Sequence, residues 1–245
     1  MTCIIFTLIN LLGCEKFGEP PIVEKSSLNY RNDRFYPVNS EIPFSGRIVL
    51  YYENGQFIEN CYYVNGKRHG LSKGYYNNGQ LESLQIYKDG KRDGTCKYYH
   101  ENGQLDYELY YKDGKLEGIS KWYKENGQLE YSKNYKNGKL EGISKWYKEN
   151  GQLKYEIYYK NDQLEYSKNY KNGLQDYTIE WYHTNGSLLS RDNYKDGIKN
   201  GFSGWYYENG QLQYSNNYKD GVKDGLSKSY YENGKLQYSQ KFKDG

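Results

Sequence analysis

Few side chains in this sequence are equipped for chemistry, and their spacing narrows what that chemistry is. The three histidines, His69, His100 and His183, lie far apart, with no spacing that sets two of them on one metal ion. His100 and His183 hold the same position of a repeated unit, where Lys124 or Tyr76 stands elsewhere, so solvated substitution accounts for them. A glutamate precedes several Asn-Gly pairs (Glu53, Glu101, Glu125, Glu149, Glu208, Glu232). One carboxylate per unit does not gather the several oxygens a hard cation needs, and turn solvation explains the column. No nucleophile–His–acid pattern, phosphate loop or HExxH occurs. No catalytic or metal-ligating residue is therefore assigned, no cofactor is expected, and an enzyme is the least fitting class, because repetition dilutes unique groups. Contact chemistry remains. Trp122, Trp146, Trp181 and Trp205 share one position of the unit, with Tyr98 at the same place in its own copy. Strand alternation sets them on the face away from Tyr123 and its equivalents, as one stripe across the central repeats. Such a stripe suits protein or glycan contact, or else packs under side chains of its own sheet or a second layer.

The elements that position these residues are set by a period of 24. Copies span 46–69, 70–93, 94–117, 118–141 and 142–165, then 177–200, 201–224 and a shortened 225–245. Each reads as one β-hairpin. Asn-Gly between strand-like runs is a strong hairpin signal, through a type I′ turn with positive φ at both central residues. The pair recurs in every copy, from Asn54-Gly55 to Asn233-Gly234. In the return strand Leu129, Tyr131, Lys133 and Tyr135 alternate with Glu130, Ser132 and Asn134, which marks a sheet with one packed and one wet face. The fold expected is all-β: an elongated antiparallel sheet of tandem hairpins, roughly 75–80 Å long before twist. Residues 166–176 break the period. The stretch 163–173 repeats 128–138, so it is half a hairpin. It either adds an odd strand, which its patterning favours, or loops out and leaves the array in phase.

Composition agrees with a thin sheet. Mean hydropathy is −1.10. The chain has no alanine, and aromatic residues, mostly its 33 tyrosines, make up half of the apolar content. Tyrosine suits a half-exposed sheet, packing its ring while its hydroxyl stays wet. The net charge of +3 is spread evenly along the repeats, unlike the clustered basic excess of nucleic-acid binders, so no nucleic-acid partner is expected. Cys61 and Cys96 fall three strands apart in a meander, roughly 14 Å. That is beyond disulfide reach, and two unpaired thiols are expected.

The first residues read as an address. An apolar run, 3–12, too short to span a bilayer, leads into Leu11-Leu12-Gly13-Cys14. This resembles the lipobox of bacterial lipoproteins, in which the cysteine is lipidated and becomes the mature N-terminus. It departs from that pattern in having no Lys or Arg before the apolar run. The resemblance implies a signal over 1–13, a lipid anchor on Cys14 and a membrane position outside the cytoplasm. The other reading is a chance cysteine in a cytoplasmic protein. All four prolines lie between Cys14 and the first repeat. Proline cannot donate to a ladder, so 14–45 reads as a flexible tether reaching on the order of 30 Å.

The spacing Gly-x-x-x-x-Tyr-x-x-Asn-Gly-x-Leu, closed by Tyr-Lys-x-Gly, resembles MORN repeats of the bacterial variant type, over about residues 46–245. Proteins built from such repeats are grouped as YwqK-like antitoxins. The resemblance therefore implies binding and neutralising a toxic protein, and it carries no catalytic residues. Three functions follow: a membrane-anchored sheet that binds a protein partner, a cytoplasmic antitoxin or immunity protein that sequesters a toxin, and a passive envelope spacer.

Overall fold

The computed structural model describes residues 21–171 and 175–245. Apart from one separate two-stranded hairpin, its strands form one 22-stranded mixed sheet built by tandem hairpins, the all-β architecture that the period predicts.

One copy shows why the sequence folds this way. Gly118–Tyr123 pairs antiparallel with Leu129–Lys136, with Ser120 opposite Lys133 and Trp122 opposite Tyr131. The turn between them differs from the type I′ expected. Only Gly127 has positive φ, 80°, and its N–H donates to the Lys124 carbonyl at 2.8 Å. This is a three-residue loop closed by a left-handed glycine. The asparagine serves through its side chain: Asn126 Oδ1 accepts the Gln128 N–H at 3.0 Å. Equivalent bonds recur from Asn54 (3.1 Å) to Asn233 (3.0 Å). The type I′ turn sits instead at the closing pair, where Asn137 (53°) and Gly138 (84°) both have positive φ. Beyond the equivalent turn at Asp113-Gly114, the ladder slips from Tyr111–Leu116 to Tyr107–Trp122, so the strand that opens this copy bulges at Glu117-Gly118. The opening glycine, φ 69° at Gly118, is needed for that bulge.

Neighbouring copies are stapled at both edges. At one edge Gly138 N–H donates to the Leu116 carbonyl at 2.8 Å, and Glu117 accepts the Asn137 N–H at 2.7 Å. At the other, Tyr52 and Tyr207 donate to the carbonyls of Tyr75 (2.9 Å) and Tyr230 (3.0 Å) in the following copy. His100 and His183 do the same job, with Nε2 3.4 Å from the Tyr123 carbonyl and 3.1 Å from that of Tyr206. To face a carbonyl, each Nε2 must carry its proton. The histidines are thus half-buried staples rather than solvated substitutions.

The half-repeat joins the sheet. Gln163–Tyr170 pairs antiparallel with Leu153–Lys160 on one side and Tyr177–Tyr182 on the other. One added strand reverses the direction of every later hairpin. To keep advancing along the same axis, the array must also rotate half a turn about that axis, which turns its faces over. The registers record this. Tyr155 and Tyr158 lie on opposite faces; Tyr158 pairs with Tyr166, and Tyr166 with Trp181.

The stretch expected as a tether contributes structure from residue 21 onward. Ile22–Glu24 pairs parallel with Gly46–Tyr51 at the sheet edge, and Leu28–Arg31 forms a small hairpin with Arg34–Pro37. Phe35 meets Tyr63 edge-on at 5.5 Å. Phe44, Ile48, Cys61 and Tyr63 form a compact apolar core, flanked by Val23, Leu28 and Phe35. Burial opposes charge on Arg68, yet Glu59, 2.7 Å away, heads the groups that more than offset it and raise its pKa. Cys61 and Cys96 are buried free thiols, as expected, and burial pushes both up.

Further along, large apolar residues give way to serine in the packed row. Ser120 and Ser144 are fully buried, and neither hydroxyl has a partner. Leaving a buried hydroxyl unpaired costs about 1–3 kcal/mol. The double variant Ser120→Ala, Ser144→Ala is therefore expected to raise stability by about 1–2 kcal/mol in all. Urea unfolding checks this; a lower midpoint contradicts it.

Candidate interaction faces

Cross-strand pairing sorts the side chains onto two faces. The front face of the third to fifth repeats carries a row in which Tyr98, Tyr107, Trp122, Tyr131, Trp146 and Tyr155 follow one another strand by strand. Their rings stack: Tyr98–Tyr107 at 4.3 Å, Trp122–Tyr131 at 4.7 Å and Trp146–Tyr155 at 4.8 Å. Each such pair contributes about 0.5–1.5 kcal/mol beyond area burial. Lys133 caps the row, its Nζ 5.7 Å from the Trp122 ring. Burial raises the Tyr98 hydroxyl pKa, with nearby Arg92 opposing. Trp122 and Trp146 are only half-exposed.

Two sequence expectations change here. Trp122 and Trp146 lie on the same face as Tyr131 and Tyr135, the packed column, and not on a separate second face. Nor do they form one stripe. Beyond the half-repeat, Trp181 pairs with Tyr166 and Ser190, and Trp205 with Ser190 and Tyr214, all on the back face. Trp122, Trp146 and Tyr98 thus look one way, and Trp181 and Trp205 the other.

The back face carries a row that sequence reasoning passed over. It holds the second residue of each first strand and its partner across the hairpin: Leu71 with Ile86, Thr95 with Tyr110, Ile119 with Asn134, Ile143 with Tyr158. Leu71, Ile86, Tyr110, Ile119 and Ile143 are exposed, from 39% at Ile86 to 58% at Ile119, while Thr95, Asn134 and Tyr158 are half-buried. Because the half-repeat turns the array over, this row runs directly into the second tryptophan pair. Tyr158 stacks on Tyr166 at 5.3 Å, and Tyr166 meets Trp181, 41% exposed, at 4.9 Å. The recurrent Leu or Ile two residues before Lys121 and Lys145 was the signal available in the sequence.

Beside this row runs a second one, Lys73, Lys97, Lys121, Lys145 and Lys168, interleaved with Leu84, Glu108, Ser132 and Glu156. Lys97 meets Glu108 at 3.5 Å and Lys145 meets Glu156 at 3.4 Å. Glu156 also accepts from Tyr170 at 2.9 Å; burial, then this bond, raises the pKa of that hydroxyl. Lys168 Nζ lies 3.6 Å from the Tyr177 ring centroid.

Among the described residues no group of three or more His, Cys, Asp or Glu converges as a metal site. No helix among them is long and apolar enough to cross a membrane. Cys14 lies outside the described residues.

Comparison with known proteins agrees with this geometry. No curated protein matches the chain at a significant level. The family profile described as MORN repeat variant matches seven segments: 68–89, 92–113, 116–137, 140–161, 178–196, 205–220 and 223–244. Each of the first four begins just after a type I′ turn and ends in the next, so the family unit is the observed hairpin in a shifted frame. MORN repeats are commonly modules that contact proteins or membranes rather than catalysts. With more than half of its length matched, this chain belongs to the MORN repeat variant family.

Proposed function

We propose that this protein is a non-enzymatic scaffold that binds a protein partner across the back face of its sheet, held at a membrane by lipid on Cys14. The observation that carries the reading is the row from Leu71 to Trp181, in which eight large apolar side chains align and six of them, Leu71, Ile86, Tyr110, Ile119, Ile143 and Trp181, are exposed. Clustered exposed apolar side chains of this kind, here broken only by Thr95 and Asn134, mark interaction sites. The stacked rings of the front face hold adjacent hairpins in register beneath it. The anchor rests on Leu11-Leu12-Gly13-Cys14.

Cross-linking of the full chain in its native cells, compared with an Ile119→Asp, Ile143→Asp variant, tests the surface. Both positions face solvent, so the variant is expected to fold and to lose the cross-linked partner. Retention of the partner refutes the back-face assignment. For the anchor, intact mass and metabolic lipid labelling are expected to show lipid that disappears in Cys14→Ala. An unlipidated chain with its first residues intact favours the cytoplasmic antitoxin reading, with a toxin as the partner. A lipidated chain with no partner leaves the passive spacer.

A further inference from the structure

The period of the array restricts what can lie along it. This inference rests on the reading that the back face binds a protein, and it concerns the form of the bound segment. Two antiparallel strands advance about 9.6 Å, so Ile119 and Ile143, or Lys121 and Lys145, recur at that spacing. A polyproline II helix has three residues per turn at about 3.1 Å each and repeats every 9.3 Å or so. Seven residues of α-helix advance about 10.5 Å and drift out of step by roughly an ångström per hairpin. An extended strand repeats its facing every 6.6 Å or so, so it regains register only at every second hairpin, about 20 Å apart, and not at each one.

We propose that the back face from Tyr110 to Trp181 is a docking track for an acidic, proline-rich segment in the polyproline II conformation, laid along the array with one turn per hairpin. Charge complementarity selects the acidic partner. The five lysines of the adjacent row face two carboxylates there, Glu108 and Glu156, each already paired with a lysine. Glu108 also lies opposite Lys121 and Glu156 opposite Lys168, but Lys73, Lys121 and Lys168 make no ion pair among the described residues, and lysines outnumber carboxylates five to two in the row. The threefold symmetry of the ligand fits two parallel rows. In each turn one residue meets the apolar row, one meets the lysines, and the third faces water. At the half-repeat, Tyr158, Tyr166 and Trp181 offer the clustered aromatic rings against which proline-rich segments dock.

The test is fluorescence anisotropy of labelled (Pro-Glu-Pro)4 with the full chain. Its twelve residues reach about 37 Å, enough to cover roughly 29 Å of track. Saturable binding is expected, at least tenfold tighter than that of (Gly-Glu-Gly)4, which has the same charge but must be ordered on binding. No binding of (Pro-Lys-Pro)4 is expected. Lys121→Glu with Lys145→Glu is expected to weaken binding tenfold or more, and Ile119→Asp with Ile143→Asp to abolish it. Lys133→Glu, on the front face, should leave it unchanged. Equal binding of the proline and glycine peptides overturns the proposal, as does insensitivity to the back-face variants. Adsorption to vesicles of anionic phosphatidylglycerol without peptide binding also overturns it, in favour of a membrane surface. If no peptide binds while Ile119→Asp with Ile143→Asp still removes the cross-linked partner, the conformation proposed here fails and the broader protein-binding reading stands.

Discussion

Gly66→Val is expected to unlatch the N-terminal cap and to cost about 3–5 kcal/mol of local stability. Gly66 has φ 73°, and a Cβ there would lie 2.7 Å from the Phe35 carbonyl oxygen and 2.8 Å from its nitrogen. The left-handed conformation alone costs a β-branched residue about 1–2 kcal/mol. The clash then breaks two bonds that hold the cap: Phe35 N–H to the Gly66 carbonyl at 3.0 Å, and Gly66 N–H to the Phe44 carbonyl at 2.6 Å. Each contributes about 0.5–1.5 kcal/mol. Withdrawing Phe35 and Phe44 from Tyr63 exposes further apolar area. Repeat arrays lose structure locally, since each unit contacts only its neighbours. Hydrogen exchange should therefore show lost protection at Phe35, Phe44 and Gly66, with the amides of 118–159 still protected. Gly55→Val is the control. Its φ is 83° and a Cβ there would meet nothing within 4 Å, so only the backbone cost of about 1–2 kcal/mol applies. Equal protection in wild type and Gly66→Val refutes the latch.

The hairpins were legible because every copy carries the same turn residues and the same alternation. What misled was the turn type. Asn126-Gly127 looks like a type I′ pair, but here the asparagine side chain takes the Gln128 N–H and leaves positive φ to the glycine alone. Asn137-Gly138 has the same letters and does form type I′. Local sequence does not separate the two; the bulge at Glu117-Gly118 and the staples between copies do. The cap was hidden for a related reason. Its prolines exclude it from a central strand, and Pro37 indeed ends a short separate hairpin, but proline content says nothing about whether Phe35 and Phe44 find Tyr63.

The tryptophans show where alternation within one strand stops being enough. Trp122 was set away from Tyr123, and that much follows from period two. Its place beside Tyr131 depends on cross-strand register, and register at the turn end is shifted by a bulge between Trp122 and Tyr123. The exposed row of Leu71, Ile119 and Ile143 escaped notice because these aliphatics are interrupted by Thr95 and by polar partners such as Asn134. It becomes a surface only when the registers of all copies are joined, and it meets the second tryptophan pair only because of the half-repeat.

That last dependence has a direct consequence. Deleting residues 166–176 and replacing Tyr177 with glycine restores the regular period, with Asp162, Gln163, Leu164 and Glu165 taking the places of Gly138, Lys139, Leu140 and Glu141. The glycine supplies the positive φ that the opening bulge requires, as at Gly142 (86°). In the shortened chain Trp181 is expected to move from the back face to the front and pair with Tyr155, as Trp146 pairs with Tyr131. Cysteines at 155 and 181 report this. Directly opposed residues have Cα atoms about 4.5–5.5 Å apart, within the disulfide range. In the full chain the two positions lie on opposite faces, two strands apart, so no bridge is expected. Oxidation followed by peptide mass mapping should find the 155–181 bridge in the deletion background alone. A bridge in both backgrounds would mean that 163–170 loops out and the faces never invert. The same deletion should break the continuity of the back row at Tyr158, so that a partner spanning Ile143 to Trp181 loses the second half of its surface while the first five hairpins keep their fold. Eleven residues then decide which aromatic rings the two ends of the array present to one partner.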